Sequence, residues 1–382
     1  MKRDKIIIAS DSFKGSLTSI QVGEAAAKAV KAVMPEVKYE IIPVADGGEG
    51  TVEAIVAGLK GQLLETEVTG PLGTPVKAVY GICGETAVIE MAAASGLTLV
   101  PEDRRNPWIT TTYGTGELIR DALSHGCRNF LIGIGGSATN DAGIGMLQAL
   151  GFRFLDCEGK EVEAGGGEAG RIVTIDTTHA LPELRQCSFT VACDVNNPLT
   201  GPNGASHIFG PQKGADKTMA EQLDLSLASF ANAVANTYGE DLSSTPGAGA
   251  AGGLGFAFLA FLNANLKTGV DMVLDAVGFG TQLKDAMLVI TGEGRLDHQT
   301  CMGKTPYGIL KHAQSENVPV IAIGGAVVPD AVPNLLQAGF KAVFPIVSGP
   351  TTLSEALKPG TASQNVTRTV SQILRLLNLH LS

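Results

Sequence analysis

Short β-branched runs alternate with segments of helical period at both ends of this chain, and that alternation restricts the fold more than any other feature. Lys5 to Ala9 reads as a strand and Ser19 to Val33 as a helix with apolar positions at helical spacing. Further strands are expected at Tyr39 to Val44, Leu63 to Val68, Met287 to Thr291, Val318 to Ile323 and Ala342 to Ile346, with helices after most of them. Such a pattern predicts an α/β fold with a parallel sheet covered on both faces.

Between the two blocks the rhythm changes. Val76 to Tyr80 and Thr86 to Glu90 read as a hairpin, Phe130 to Ile134 and Phe189 to Cys193 as buried strands, and long glycine-rich loops intervene. A chain of 382 residues exceeds one ordinary core. The expectation is a discontinuous parallel-sheet domain, residues 1–70 plus 285–382, and a second inserted α/β domain, residues 71–284. The turn cluster Thr69-Gly70-Pro71-Leu72-Gly73 marks the first boundary. An interdomain cleft is the expected place for an active site.

Composition closes off several function classes. The six cysteines form no CxxC pair, which speaks against a zinc knuckle or a thioredoxin-type redox site. A formal net charge of −10 disfavours nucleic acid and anionic lipid as partners. The longest strongly apolar stretch, Leu254 to Leu262, is too short for a membrane span, and Lys5 interrupts the only candidate signal-peptide core. A cytoplasmic protein is expected. The 48 glycines, nearly twice the usual share of roughly 7%, cluster beside Asp, Ser, Thr and Asn, where backbone can approach a ligand closely.

Those clusters sit where the pattern places strand ends. Asp11, Ser12 and Lys14 follow the first strand and precede a helix start, which suits an anion; an ordinary βα turn capped by Thr18 or Ser19 with a solvated lysine is the other reading. Asp46 and Glu49 lie among three glycines, good chemistry for a hard cation, although an Asp-Gly turn with a first-turn Glu also fits. Gly292 to Thr300 carries Glu293, Gly294, Arg295 and Asp297, with Lys304 just beyond. The Gly303-Lys304-Thr305 tripeptide is no Walker A loop, because the required first glycine falls at His298.

In the middle of the chain, amides of Gly135, Gly136 and Ser137, with Thr139 and Asn140, are candidates for an anion nest, and Asp141 for a metal or a sugar hydroxyl. This segment fits GxGxxA, and Gly247 to Gly252 fits GxGxxG, so a nicotinamide enzyme must be weighed. The second match follows Ser243 to Pro246 instead of a strand, which favours a close-packed helix start. Asp194, with Asn196 and Asn197, could position or deprotonate a hydroxyl, and Lys213 could meet an anion; a long loop pinned by prolines and Asx turns is the alternative. The histidines show no metal-ligand spacing, and His207 and His298 are assigned no role.

At these motifs the sequence resembles the bacterial glycerate kinase family of the type that is not a P-loop kinase. The matching stretches are DSFKGS (Asp11 to Ser16), PVADGGEGT (Pro43 to Thr51), GGSATNDAG (Gly135 to Gly143), ACDVNNPLTGPNGASHIFGPQKGA (Ala192 to Ala215), GAGAAGGLG (Gly247 to Gly255) and TGEGRLDHQT (Thr291 to Thr300), with Gly303 and Lys304. One departure is Ser10, where the family usually has proline.

The resemblance implies ATP-dependent phosphorylation of D-glycerate at the 2-hydroxyl, giving 2-phosphoglycerate and ADP, within sugar-acid or glyoxylate breakdown. It also implies a Rossmann-like domain with an inserted α/β domain. On that reading ATP is held by Ser12, Gly135, Gly136, Ser137, Thr139, Asn140, Gly292 and Gly294, with Lys14 and Lys304 on its phosphates. Mg2+ is expected on Asp46 and Asp297. Asp194 is the candidate for orienting the attacking hydroxyl, and Arg295 or Lys213 for the glycerate carboxylate, with Asp11 and Asn196 beside the substrate. A nicotinamide-dependent oxidoreductase and a non-catalytic metabolite-binding protein stay as alternatives, and a homodimer is left open.

Overall fold

The computed structural model describes residues 4–378. The first part of the chain supplies strands β1 (Lys5–Ile8), β2 (Lys38–Ile41), β3 (Gln62–Thr69), β4 (Pro75–Cys83) and β5 (Thr86–Glu90). The middle supplies β6 (Asn129–Gly133), β7 (Arg153–Leu155), β8 (Thr174–Asp176), β9 (Ser188–Ala192) and β10 (Asn265–Lys267). Last come β11 (Ala286–Leu296), β12 (Val320–Val327) and β13 (Ala342–Pro345). Two compact units result. One holds the chain up to Asp46, Glu53–Leu59 and everything described from Val270 onward; the other holds Gly47–Val52 and Lys60–Gly269.

In the first unit five parallel strands run in the order β13-β12-β11-β1-β2. From β1 the chain steps outward to β2, then returns to β11 on the other side and continues through β12 and β13. The seam between β1 and β11 is thus a topological switch point, where open parallel sheets bind ligands beyond their carboxyl ends. Ile6 and Ile8 face the helix Ser19–Val33 while Ile7 is buried on the opposite face, as the two-residue pleat requires. Val22, Ala26 and Val30, four residues apart along that helix, meet Val366 and Val370 of the helix Pro359–Asn378 in the same core.

Thr18, not Ser19, caps the first helix. Its hydroxyl accepts from Gln21 N at 3.2 Å while Gln21 Oε1 accepts from Thr18 N at 3.0 Å, a complete capping box. Ser19 is thereby freed to tie two strand ends together: its hydroxyl donates to Ser10 O at 2.7 Å and accepts from Val44 N at 3.0 Å. β11 runs past the expected Thr291 to Leu296, because its pairing with β12 continues to Leu296 opposite Val327. Glu293 and Arg295 therefore stand on a strand and not in a loop.

The second unit is built on the sheet β10-β9-β6-β5-β4-β3, parallel from β10 to β5 and antiparallel from β5 to β3. Leu63 to Val68, expected in the parallel sheet of the first unit, belongs here. Gly70 N donates to Thr74 O at 2.7 Å and Gly73 N to Gly70 O at 3.0 Å, so the turn read as a domain boundary is a hairpin that lays β3 against β4. Local strand propensity cannot tell which sheet a strand will join. The other expected boundary, 284/285, also lies apart from the unit limit at Val270. An aromatic cluster that includes Phe154, Phe230, Phe256 and Phe261 fills this unit, with ring centroids 5.6–6.2 Å apart.

Gly247 to Gly252 makes no dinucleotide turn. Ala251, Gly252 and Gly253 all adopt left-handed backbone, and a Cβ at Gly252 would run into the carbonyl of Thr139. The segment packs closely on the Thr139-Asn140 loop, and the nicotinamide reading loses one of the two motifs that supported it.

Candidate active site

In the first unit, polar side chains gather beyond the carboxyl ends of β1 and β11. Asp11, just past β1, accepts the Ser12 amide at 2.6 Å on one carboxylate oxygen and the Thr305 hydroxyl at 2.8 Å on the other. Burial pushes the Asp11 carboxyl above the usual range and the charge of Asp46 pushes the same way, against the Thr305 and Ser12 hydrogen bonds and Lys14. Glu293 is buried on β11 and takes the Thr300 hydroxyl at 2.7 Å; burial raises its pKa as well.

Lys304 sits between two carboxylates, 3.2 Å from Asp297 Oδ1 and 3.5 Å from Glu293 Oε2. Burial alone would raise Asp297, but the Lys304 hydrogen bond and charge, the Gln299 amide and Arg295 outweigh it and hold the carboxyl below its ordinary value. One oxygen of Asp297 is already shared by Lys304 and the Gln299 amide, whereas Asp11 and Asp46 repel each other. Lys14 is exposed, as is Arg295, whose Nε lies 3.9 Å from Asp297 Oδ2 in a loose surface pair, so both can swing toward an anion. Gly292 is committed to the sheet: its carbonyl accepts from Asp11 N and from Ser10 Oγ.

Among the described residues no group of three or more His, Cys, Asp or Glu side chains is arranged to hold a metal by itself. Magnesium bound together with nucleotide phosphates asks for less, one or two protein carboxylates, its other positions going to phosphate oxygens and water. The mutually repelling Asp11 and Asp46 meet that requirement, and a divalent cation would relieve their repulsion. Thr300 and Thr305, which orient Glu293 and Asp11, escaped sequence reading; the hydroxyl after Gly303-Lys304 was the one visible signal.

In the second unit a cavity of about 410 Å³ is lined by Gly47, Glu49, Glu90, Gly133, Gly135 and Gly136. A side chain at Gly133 would strike the Gly47 carbonyl, so glycine there lets two loops pass closely. Glu90 Oε1 accepts the Val52 amide at 3.0 Å and anchors one wall. Only part of the expected nest reaches this space. Gly135 and Gly136 are exposed, but Ser137, Thr139 and Asn140 are buried, and Asn140 Nδ2 donates to Ser206 Oγ at 2.9 Å.

Lys213 is the clearest departure from expectation. It is 1% exposed, its ammonium donates to Thr139 O at 2.6 Å, and burial drives its pKa down to about 7 with Asp141 opposing. An anionic substrate cannot be met from there, and Lys213 instead holds the nest loop from behind. Asp141, also fully buried, receives the Thr112 amide and hydroxyl and the Gly143 and Gly145 amides, which leaves it no room for a metal or sugar. Asp194, by contrast, stands exposed past β9 with Oδ1 accepting the Gly269 amide at 3.0 Å, and Asn196 is exposed beside it.

A family model described as "Glycerate kinase family" matches residues 6–378. The chain belongs to the glycerate kinase family. Within the family it is 51% identical to the glycerate kinase of Bacillus subtilis (strain 168), over 98% of both chains. To the glycerate 2-kinase of Escherichia coli (strain K12) it is 47% identical over 96% of this chain and 98% of that one. A crystal structure of the provisionally named glycerate kinase 2 of Salmonella typhimurium LT2 shares 46% identity at a TM-score of 0.91, covering 99% of each chain. The glycerate kinase fold is thus reproduced along the whole described chain. The sequence-based resemblance to this family, its α/β class and its parallel sheets stand. No helix among the described residues is long and apolar enough to cross a membrane.

Proposed function

We propose that this chain is an ATP-dependent glycerate 2-kinase, transferring the γ-phosphoryl group of ATP to the 2-hydroxyl of D-glycerate. Family membership carries the reaction class, and the 47% identity to a glycerate 2-kinase carries the choice of hydroxyl. The geometry agrees with a phosphoryl transferase: carboxylates and a lysine from separate strand ends meet at the switch point of a parallel sheet.

In this reading Lys14 and Lys304 meet the ATP phosphates, and Ser12 and Gly294 border them. Gly135 and Gly136 offer exposed glycine backbone for anion contact in the second unit, while Ser137, Thr139 and Asn140 support the loop that presents them. Magnesium, when bound, supplies charge neutralisation on the transferred group. Asp11 and Asp46 are the residues to hold it, and Asp297 fixes Lys304. Arg295 is the candidate for the glycerate carboxylate, since a guanidinium engages both oxygens of a carboxylate. The cytoplasmic setting expected from the sequence goes with this proposal.

The direct test is phosphorus NMR of the purified protein with ATP, magnesium and D-glycerate, with enolase coupling to identify the product. A magnesium-dependent 2-phosphoglycerate signal is expected; a product that enolase cannot consume would place the transfer on the other hydroxyl.

Asp194 is proposed to orient the attacking hydroxyl and take its proton. Asp194→Asn keeps the hydrogen bond from Gly269 and removes only the charge, so kcat is expected to fall by roughly 10²–10⁴-fold with stability unchanged. Full turnover in that variant ends the assignment.

A further inference from the structure

We propose that an apolar cavity in the first unit receives the base and ribose of ATP. This rests on the kinase reading above and supplies the recognition element for the nucleotide that the polar edge lacks. The cavity has a volume of about 480 Å³, within the roughly 300–1,000 Å³ usual for small-molecule sites. It opens beyond the carboxyl ends of β1, β11, β12 and β13, where Phe13, Gly294, Ala326, Pro345 and Ile346 line it. Leu353, on the short helix Leu353–Ala356, closes another side.

Three observations point to a nucleotide and not to an apolar metabolite. Through Phe13, Lys14 and Gly294 the cavity reaches the β1/β11 switch point, the place where doubly wound sheets take their ligands, and from there it extends over the ends of β12 and β13. Its walls are largely apolar, which suits the flat face of a purine, yet Lys14 borders it and supplies positive charge for a phosphate chain. Ser16 also lines it, and the Ser16 hydroxyl is buried with no hydrogen-bond partner among the described residues. A buried hydroxyl without a partner costs free energy, and a ribose hydroxyl or ring nitrogen would satisfy it. Asp11, whose neighbour is Ser12, lies on the same strand-end loop as Phe13 and Lys14, so phosphates leaving the cavity past Lys14 run toward the proposed magnesium ligands.

Ala326 is exposed at the end of β12 and can be enlarged without overpacking a core. Titration calorimetry of the full-length protein with ADP and, separately, with tripolyphosphate distinguishes base from phosphate recognition. Ala326→Phe is expected to weaken ADP at least tenfold while tripolyphosphate binds as in wild type. In the kinase assay the same variant should raise the KM for ATP by a similar factor and leave the KM for glycerate within twofold. Wild-type affinity for ADP in Ala326→Phe, or equal loss of both probes, overturns the proposal. Should Ala326→Phe fail to fold, Leu353→Trp, elsewhere on the cavity lining, carries the test, with its indole emission expected to change on ADP and not on tripolyphosphate. A wild-type protein that binds ADP but forms no phosphoglycerate would instead count against the acceptor and leave the cavity assignment supported.

Discussion

Asp11→Asn is expected to lower kcat on the order of 100-fold or more while leaving the fold intact. The substitution is nearly isosteric. Its carbonyl oxygen still accepts the Ser12 amide, and its amide nitrogen can donate to the Thr305 hydroxyl that now donates to Asp11. What disappears is one of two carboxylates whose repulsion, added to burial, raises the Asp11 pKa. Thermal stability should therefore hold or rise slightly as activity falls, the opposite of a packing defect.

The pH profile carries the sign. A raised carboxyl pKa means that Asp11 takes up a proton, and loses its value to a cation, at a higher pH than an ordinary aspartate. In the magnesium-free site protons therefore compete with the cation above the usual carboxylate range: apparent magnesium affinity should fall on the acid side, excess magnesium should restore activity there, and Asp11→Asn should reduce that pH dependence. A variant with undiminished kcat and an unchanged magnesium titration would remove Asp11 from the phosphate site.

The second large effect concerns stability. Lys213 has its pKa driven from 10.5 down to about 7 by burial. The unfolded chain keeps that proton up to its ordinary pKa, so between the two values the unfolded state binds more protons. Stability then rises with pH, at up to about 1.4 kcal/mol per pH unit. Below pH 7 both states hold the proton and the contribution is constant.

Lys213→Met removes this titration. The variant loses the hydrogen bond to Thr139 O, but it also loses the cost of burying an ammonium, so these terms oppose each other at neutral pH. The slope separates them. Urea unfolding at pH 7 and pH 9 should show wild type gaining about 2 kcal/mol on Lys213→Met across that interval. Parallel curves would mean that the lysine titrates normally and is not enclosed.

Much of the architecture was legible before any coordinates. Ser19–Val33 is read from its period alone, because apolar residues at helical spacing are a local signal, whereas the choice of Thr18 over Ser19 as its cap came with the Gln21 side chain in place. The strand-end clusters around Asp11, Asp194 and Glu293 are likewise visible, since chemistry in a parallel sheet gathers at carboxyl ends. Lys213 shows the other side: in sequence it is a lysine between glycines, indistinguishable from a solvated one. Its burial depends on the Thr139 loop, 74 residues away, arriving to accept its hydrogen bond.

The sequence by itself determined the family, the alternation of strands and helices and the residues available for phosphoryl transfer, because each is written in spacing and residue type. The tertiary structure alone decided that β3 pairs with β4, that Lys304 is shared by Glu293 and Asp297, and that Thr139, Asn140 and Lys213 face inward. Those outcomes turn on which distant segments compete for the same buried space and the same hydrogen-bond partners, a contest that no local window of sequence contains.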